Sequence, residues 1–265
     1  MKRLQNIAAA SAIWVCEPGP RTYSPLIRKL EGLTTLSPAD RAALEQISGN
    51  ARLIEPRIDL LREGAVPTDA ILVLEGFACR YKQRPNGARQ NIAYLLPGDL
   101  CDVDALYLGR MDHTVGTLST CVVARIPREM LARLIEQHPS IGHALRRAKL
   151  AEEATLRTWN VNLGCRSGPE RMTHLFCELL VRLEAVGLAR EGSYRLPITQ
   201  IDLGDTLGLS NVHVNRVLKE LRRKNLVEFR SKHLRLLNLP RVQAMAEFNP
   251  AYLQPASREN GLNLV

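Results

Sequence analysis

A short stretch of the chain, residues 207–221 (LGLSNVHVNRVLKEL), groups side chains that can form hydrogen bonds with DNA bases. Asn211, His213, Asn215 and Arg216 follow directly after a Gly-Leu-Ser turn. An asparagine amide can pair with adenine and an arginine guanidinium with guanine in the major groove, and each bidentate contact contributes about 1–3 kcal/mol of discrimination. The chemistry that this spacing indicates is therefore base recognition.

A helix-turn-helix is the element that would position these side chains, and the surrounding steric pattern predicts one. Gly204 supplies the small residue that two helices need where they cross, and Gly208 tolerates the positive φ of a sharp turn. Thr199 and Ser210 are preferred N-caps for the two helices. Because the N-terminus of a helix can also bind phosphate, Thr199, Gln200 and Ser210 become candidate DNA contacts.

The following stretch is strongly basic. Residues 216–235 contain eight lysines and arginines against two glutamates, a local charge of +6, which is typical of a phosphate-binding surface. Within it, NLVEFRSKHLRLLN predicts two short strands around Ser231, Lys232 and His233, the wing of a winged helix. Solvated helices also carry charge, so the basic run counts only together with the turn motif. The predicted DNA contacts are Thr199, Gln200, Ser210, Asn211, His213, Asn215, Arg216, Lys219 and Lys232.

The composition of the whole chain agrees with an acidic partner. Its 265 residues suggest one large or two modest domains, and its formal net charge is +9, which favours nucleic acid or anionic membranes. No stretch approaches the roughly 18 consecutive apolar residues of a membrane span. We therefore expect double-stranded DNA, and no membrane, as a partner. Residues 1–24 lack a signal-peptide cleavage site, and we expect a flexible leader on a cytoplasmic protein.

Residues 25–138 are predicted to form a domain of antiparallel strands. Short runs of strand formers alternate with turn residues about every 8–12 positions, the spacing of a sandwich or barrel-like roll. One turn, Asn86-Gly87, predicts a tight hairpin with positive φ at both central residues. Ahead of the strands, Ser37 and Pro38 mark the start of a short helix as N-cap and first helical residue.

One long helix is predicted next, over residues 139–166, with a length of about 40 Å. Alternating steps of three and four place small residues along one face, a heptad-like seam that would let two helices approach closely. The predicted dimer contacts are Ile141, Ala144, Ala148, Ala151, Thr155 and Thr158, with Asn162 ending the seam. Leu145, Leu150, Leu156 and Trp159 lie off the seam and are expected to pack on the strand domain. An ordinary amphipathic helix without a partner is the alternative.

The remaining chain completes a fold of the α+β class. Ser167 begins a helix that is predicted to stop at Gly187, and the winged helix-turn-helix occupies residues 167–240. The tail, residues 241–265, has no assignment. The predicted architecture is an N-terminal antiparallel, jelly-roll-like β-roll, a long dimerisation helix and a C-terminal winged helix-turn-helix.

This order of elements resembles the Crp–Fnr superfamily of bacterial transcription regulators, over roughly residues 28–240. The resemblance is carried by LEGLTTLSPADRAAL, LLREGAVPTDAILVLEGFACRY, NGARQNIAYLLPGDL and ITQIDLGDTLGLSNVHVNRVLKEL. It implies a cyclic-nucleotide-binding-like sensor domain and a homodimer joined by the long helix. It also implies a recognition helix, residues 210–224, that reads a palindromic operator with half-sites about one helical turn apart. RNA polymerase becomes a partner if the protein is an activator.

The recognition helix departs from the family pattern at one position. The arginine that reads guanine in relatives aligns with Arg216, whereas a glutamate of many relatives is replaced by Val212. The operator is therefore expected to differ from the standard half-site of the family, with Asn211, His213 or Asn215 supplying the missing contacts.

The sensor half departs from the family as well. Val103 stands where cyclic-AMP-binding members carry an acid, and Leu118 stands where they carry the arginine that pairs with the phosphate, so cyclic AMP is not expected to bind. An iron–sulfur cluster is not expected either, because the N-terminus contains Cys16 alone. We predict no cofactor and no metal, and the effector is unknown.

Two further readings of the roll are weaker. Cys101 and His113 are too few to hold haem or a metal. Buried inert thiols are the default reading of Cys79, Cys101 and Cys121, with a thiol switch as the alternative.

An enzyme and a purely sensory protein are the competing classes. A metal-dependent enzyme built on the roll would need several histidines and a glutamate, yet residues 51–126 contain one histidine, His113. We therefore predict no enzymatic activity. The remaining alternative to a DNA-binding regulator is a ligand-sensing module that acts through protein partners without specific DNA binding.

Overall fold

Two antiparallel sheets form the N-terminal domain in the computed structural model, which describes residues 24–103 and 109–253. The first sheet has the order β1-β8-β3-β6 and the second the order β2-β7-β4-β5. The strands are β1 Ala51–Ile54, β2 Asp59–Leu61, β3 Asp69–Glu75, β4 Ala78–Gln83, β5 Arg89–Leu95, β6 Leu100–Cys101, β7 Thr114–Thr117 and β8 Cys121–Pro127. The predicted β-roll is confirmed. The proposed leader lies outside the described residues, apart from Ser24.

The core of the roll lies between the two sheets. Ile71 and Val73 from the first sheet meet Leu95 and Val115 from the second, and all four are almost fully buried. These residues alternate with side chains that point to the opposite face of each sheet. Both outer faces are therefore available to other elements, and both are covered by helices.

The hairpin at Asn86-Gly87 differs from the prediction. Only Gly87 has a positive φ, 85°. The amide of Gly87 donates to the carbonyl of Arg84, and the amide of Arg84 donates to the carbonyl of Ala88. Pro85 occupies the second position of this turn, where its fixed φ of about −65° favours a type I turn followed by a left-handed glycine. The turn therefore needs one residue with positive φ, not two.

Three helices cover the outer face of the first sheet: α1 Pro25–Glu31, α2 Pro38–Ile47 and α3 Arg128–Gln137. The predicted start of α2 is confirmed, because Ser37 and Asp40 form a reciprocal capping box and Pro38 is the first helical residue. Asp40 also accepts hydrogen bonds from His138 and Ser140, which ties α2 to the segment that starts the long helix.

The long helix α4 runs from Pro139 to Cys165 as predicted, but its faces differ from the prediction. Ile141 and Ala144 are fully buried within the same chain, against α1 and α3, so they are not free to contact a partner. By contrast, Leu150 and Leu156, which were expected to pack on the roll, are 46% and 45% exposed. Small residues allow any close helix contact, and here the closest neighbour is the chain's own helical layer.

The other residues of α4 for which the sequence made a prediction are either buried or half-buried. Leu145 is buried in the cluster that includes β3 and β8, as expected. Trp159 is buried as well, but its Nε1 donates to Glu178 Oε2 of the next helix along the chain, so it does not pack on the strand domain alone. Asn162 is also fully buried and donates from Nδ2 to Nδ1 of His174. The half-buried predicted contacts are Ala148, Ala151, Thr155 and Thr158, whose role in a dimer stays a prediction.

The C-terminal domain is a winged helix. Its helices are α5 Gly168–Ala185, α6 Gln200–Leu207, α7 Asn211–Arg223 and α8 Leu239–Ala246. Its sheet has the order β11-β12-β10-β9, with β9 Ala189–Arg190, β10 Ser193–Arg195, β11 Val227–Arg230 and β12 His233–Leu236. The sequence did not predict β9 and β10, and α5 ends two residues before Gly187, which has a φ of 75°.

Part of the unassigned tail belongs to this domain. After α8, residues Pro250–Leu253 form a 3-10 turn. The ring centroids of Phe248 and Tyr252 lie 5.1 and 5.9 Å from that of His174 on α5, and the Tyr252 hydroxyl donates to Glu178 Oε2. The folded unit therefore continues past residue 240 to at least residue 253.

The buried histidine of this cluster predicts an acid-sensitive core. Burial and the nearby charge of Arg166 lower the pKa of His174 to about 4, whereas the pKa of a histidine in the unfolded chain is about 6.5. The unfolded state therefore binds more protons, and stability should fall by about 2–3 kcal/mol as the pH drops from about 6.5 to about 4. Urea unfolding across this range should show a weaker loss for His174→Gln than for the natural chain.

His143 provides the matched control for this experiment. It is an exposed histidine on α4, so His143→Gln should unfold with the pH profile of the natural chain. Parallel profiles for His174→Gln and the natural chain would show that His174 does not cause the acid sensitivity.

Candidate nucleic-acid interface

The predicted helix-turn-helix is formed by α6 and α7. Thr199 caps α6, because its amide donates to Asp202 Oδ2 at 2.7 Å and its hydroxyl accepts from the Asp202 amide. Gly208 ends α6 with a φ of 63°, a left-handed conformation. A Cβ at Gly204 would lie 2.6 Å from the carbonyl oxygen of Leu209, so the turn requires glycine there.

The second helix, α7, separates an inner and an outer face. Ser210 caps it by accepting from the His213 amide at 3.3 Å. The buried residues of α7 are Val214, Val217, Leu218 and Leu221. Its exposed residues near the N-terminal half are Asn211, Val212, Asn215, Arg216 and Lys219. Four of the predicted base contacts and phosphate contacts, Asn211, Asn215, Arg216 and Lys219, thus lie on the solvent side.

His213 lies beside this outer face rather than on it. It is half-buried, and a Cβ added at Gly168 would lie 3.0 Å from its Nε2 atom, so the ring lies against the start of α5. Arg216 Nη2 lies 3.1 Å from the same nitrogen, and the guanidinium must be the donor, since it has no acceptor. In this arrangement His213 is partly covered by α5 and orients Arg216, and a direct contact between His213 and DNA stays a prediction.

The residues at the start of α6 occupy a different setting. Thr199 is exposed, but its hydroxyl is engaged with Asp202 at 2.7 Å. Gln200 is half-buried. A contact between either residue and DNA stays a prediction.

The wing is present and basic. Strands β11 and β12 are joined by Ser231 and Lys232, whose φ values are 48° and 62°. A two-residue hairpin loop with positive φ at both positions matches the twist of the strands. Lys232 is exposed at the tip. Arg222 of α7 donates to the carbonyl of Phe229, which fixes the recognition helix against the wing.

The structure also contains a domain contact that the sequence did not predict. Helix α6 docks on strand β5 of the roll, where Asn91 Nδ2 donates to the Asp202 carbonyl at 3.2 Å and the Tyr94 hydroxyl lies 2.7 Å from Thr206 Oγ1. Arg57 of the roll donates to both carboxylate oxygens of Asp202, at 2.6 and 3.0 Å. The sequence signal that could have indicated this contact is Asn91, a polar residue directly before the apolar run 92–96.

Two family models match the chain. The model described as a cyclic nucleotide-binding domain matches residues 52–138, and the model described as a Crp-like helix-turn-helix domain matches residues 170–245. The chain belongs to the Crp–Fnr superfamily.

Several relatives of this Crp–Fnr protein span most of its length. It is 29% identical over 233 residues to the transcriptional activatory protein AadR of Rhodopseudomonas palustris, covering 83% of this chain and 90% of that one. It is 28% identical to the nitrogen fixation regulation protein FixK of Bradyrhizobium diazoefficiens, covering 69% and 76%. The solved structure of FixK2 from Bradyrhizobium japonicum has a TM-score of 0.64 at 23% identity, covering 74% of this chain and 96% of that one, which shows a shared fold.

The β-roll of this Crp–Fnr protein has a cavity of about 410 Å³ between α1, α4 and β6. Asp102, Val103 and Glu152 contribute to its lining. Arg80 extends from β4 between two of these groups, with Nη1 3.2 Å from Glu152 Oε1 and Nε 3.6 Å from Asp102 Oδ1. Leu118 lies elsewhere, buried in the cluster between roll and winged helix. The expectation that cyclic AMP does not bind stays a prediction.

The thiols and histidine of the roll are largely enclosed. Burial raises the pKa of the Cys79 thiol to about 11 and also raises the pKa of Cys101 and Cys121. Such thiols are protonated near neutral pH, which favours the inert reading over a switch. Burial opposes the charged form of His113, but hydrogen bonds to Asp102 and Asp112 outweigh it and raise its pKa.

Within residues 24–103 and 109–253, no three or more His, Cys, Asp or Glu side chains are grouped so that they could hold a metal ion. Cys16 lies outside them. None of the helices described in this part of the chain is long and apolar enough to cross a membrane.

Proposed function

We propose that this Crp–Fnr protein is a DNA-binding transcription regulator that reads a palindromic operator as a homodimer. The observation that carries the proposal is the outer face of α7, where Asn215, Arg216 and Lys219 are exposed beside the basic wing. The relatives AadR and FixK are named as an activatory protein and a regulation protein. A regulator of this type acts in the bacterial cytoplasm, and an activator would also contact RNA polymerase. No catalytic activity is proposed.

The outward face of α4 supports the homodimer. Leu150, Ala154, Arg157 and Val161 follow each other in alternating steps of four and three, the spacing of a coiled-coil seam. Leu150 and Val161 are 46% and 54% exposed, although large apolar side chains at seam positions are normally buried by a second helix. We propose that the partner chain covers this face. This outward face takes the place of the seam predicted from sequence, because two residues of that seam, Ile141 and Ala144, are buried within one chain.

Site selection from a random duplex pool tests the proposed function. Purified, reduced protein at ~150 mM salt, close to physiological ionic strength, should enrich a palindrome with a guanine in each half-site. Enrichment without any palindrome would contradict the homodimer. Failure to retain DNA, with or without candidate ligands, would favour the ligand-sensing module that acts through protein partners.

Arg216→Ala is expected to weaken binding to the selected operator by about 1–3 kcal/mol and to relax the preference at the guanine. The reason is that the guanidinium, held by His213, donates both hydrogen bonds to the guanine edge. Operator variants with each base at that position, measured by fluorescence anisotropy, would reveal the loss of preference.

Lys232→Ala is the matched control for this change. Its ammonium lies at the wing tip, so its loss should weaken all duplexes about equally and lower the slope of log affinity against log salt by about 1. If Arg216→Ala retained the natural preference for guanine, the assigned orientation of α7 would be wrong.

A further inference from the structure

The most exposed large apolar side chain among the described residues lies on the recognition helix. Val212 is 80% exposed, compared with 67% for Leu53 and 62% for Ile201. It is the second residue of α7. Valine is a weak helix former, and one that is 80% exposed gains little from burial. The stability of the fold therefore does not explain why this position is apolar.

The neighbours of Val212 define the surface to which it belongs. Residues three, four and seven positions further along a helix share its face, and here they are Asn215, Arg216 and Lys219, all exposed. The N-terminal residues of a recognition helix are the ones that contact base edges. Val212 thus occupies the part of the proposed interface that approaches the bases.

The chemistry of the major groove limits what valine can recognise. Each base edge presents hydrogen-bond donors or acceptors, and the one apolar group is the C5-methyl of thymine. Valine cannot satisfy a donor or acceptor, and burying such a group without a partner is unfavourable. A glutamate, which many relatives carry here, would instead accept from the amino group of cytosine.

We infer that Val212 selects a thymine through its methyl group, close to the guanine that Arg216 reads. The inference rests on the proposed function. Four helical residues rise about 6 Å, and successive base pairs are about 3.4 Å apart, so the thymine lies within about two base pairs of the guanine. The exchange of glutamate for valine thereby replaces recognition of cytosine with recognition of thymine.

Deoxyuridine substitution isolates this methyl group. Each thymine of the selected operator is replaced in turn, in both half-sites, by deoxyuridine, and affinity is measured for the natural protein and for Val212→Ala. One position should weaken binding by the natural protein about fourfold per half-site, the effect of about 0.8 kcal/mol for one buried methyl group. At that position, Val212→Ala should show a clearly smaller penalty for deoxyuridine, because its shorter side chain makes less contact with the thymine methyl. Because Val212 is 80% exposed, both proteins should fold alike.

Val212→Glu supplies a second readout. Selection with this variant should replace the thymine with cytosine and leave the guanine unchanged. The inference is overturned if deoxyuridine is tolerated at every position, or if Val212→Ala keeps the same penalty as the natural protein. If only the inference about Val212 fails, selection should still yield an operator whose binding depends on Arg216. Loss of all selection would overturn both the inference and the proposed function.

Discussion

Glutamate at both Leu150 and Val161 is expected to convert the dimer into a monomer and to weaken operator binding by about 10²–10⁴-fold. Both side chains lie on the outward seam of α4. Burying a carboxylate there, opposite its copy in a second chain, would require two desolvated like charges. A dimer that binds two half-sites gains affinity because its second contact is intramolecular, and the expected loss is that gain.

Light scattering and operator titration measure the two parts of this prediction. Leu156→Glu is the matched control, because Leu156 is a comparably exposed leucine of the same helix at a position off the seam. It should remain dimeric and bind the operator normally. A double variant that stayed dimeric would exclude the outward face of α4 as the interface.

The predicted seam can be tested in the same experiment. Ala148 packs partly against the chain's own cluster of α1 and α3, so Ala148→Glu should lower the stability of the monomer as well. Ala151 lies further along the helix and outside that cluster, so Ala151→Glu should not lower the stability of the monomer. If Ala151→Glu were monomeric and its free energy of unfolding were unchanged, the dimer interface would be the seam predicted from sequence.

Features of the fold that depend on local sterics could be predicted from sequence. Gly204 and Gly208 determine the turn. At Gly204 there is no room for a side chain, and Gly208 has a positive φ. Ser37 and Thr199 predict where their helices begin, because a capping box involves two residues only three positions apart in the sequence. Each of these features is determined by neighbours in the chain.

The faces of α4 could not be predicted in this way. A heptad-like seam that includes Ile141 and Ala144 indicates that another helix packs closely on that face, but not whether it is α1 and α3 or a helix of a second chain. Turn geometry shows a related limit. Asn86-Gly87 was expected to have two positive φ values, yet the structure places that geometry at Ser231-Lys232, where the twist of the wing strands imposes it on residues without glycine.

The contact between the roll and α6 could not be predicted from local sequence patterns, because Asn91 and Thr206 are separated by 115 positions. Its central group, Asp202, has a side chain that is 1% exposed. That carboxylate accepts from the Thr199 amide and from Arg57. One residue therefore serves both the cap of α6 and the attachment of the winged helix to the β-roll.

Asp202→Ala is expected to destabilise the protein by about 2–4 kcal/mol. Loss of the cap contributes about 1 kcal/mol, and the rest comes from the buried hydrogen bonds of the carboxylate. The contribution of the ion pair is reduced because the Arg57 side chain is 46% exposed and stays solvated. Urea unfolding measures the loss. Asp205→Ala, a half-buried acid on the same helix, should cost less than about 1 kcal/mol.

A double-mutant cycle separates the two roles of Asp202. Thr199→Ala removes the hydroxyl partner within α6, whereas Arg57→Ala removes the partner across the domain boundary. If Asp202→Ala and Arg57→Ala are not additive, the carboxylate couples the two domains. If the effects of Asp202→Ala and Arg57→Ala on the free energy of unfolding are additive, and only Thr199→Ala is coupled to Asp202→Ala, then Asp202 acts only in the cap of α6. Because α6 leads directly into the recognition helix, coupling to Arg57 would mean that the roll helps to fix where α7 presents Arg216.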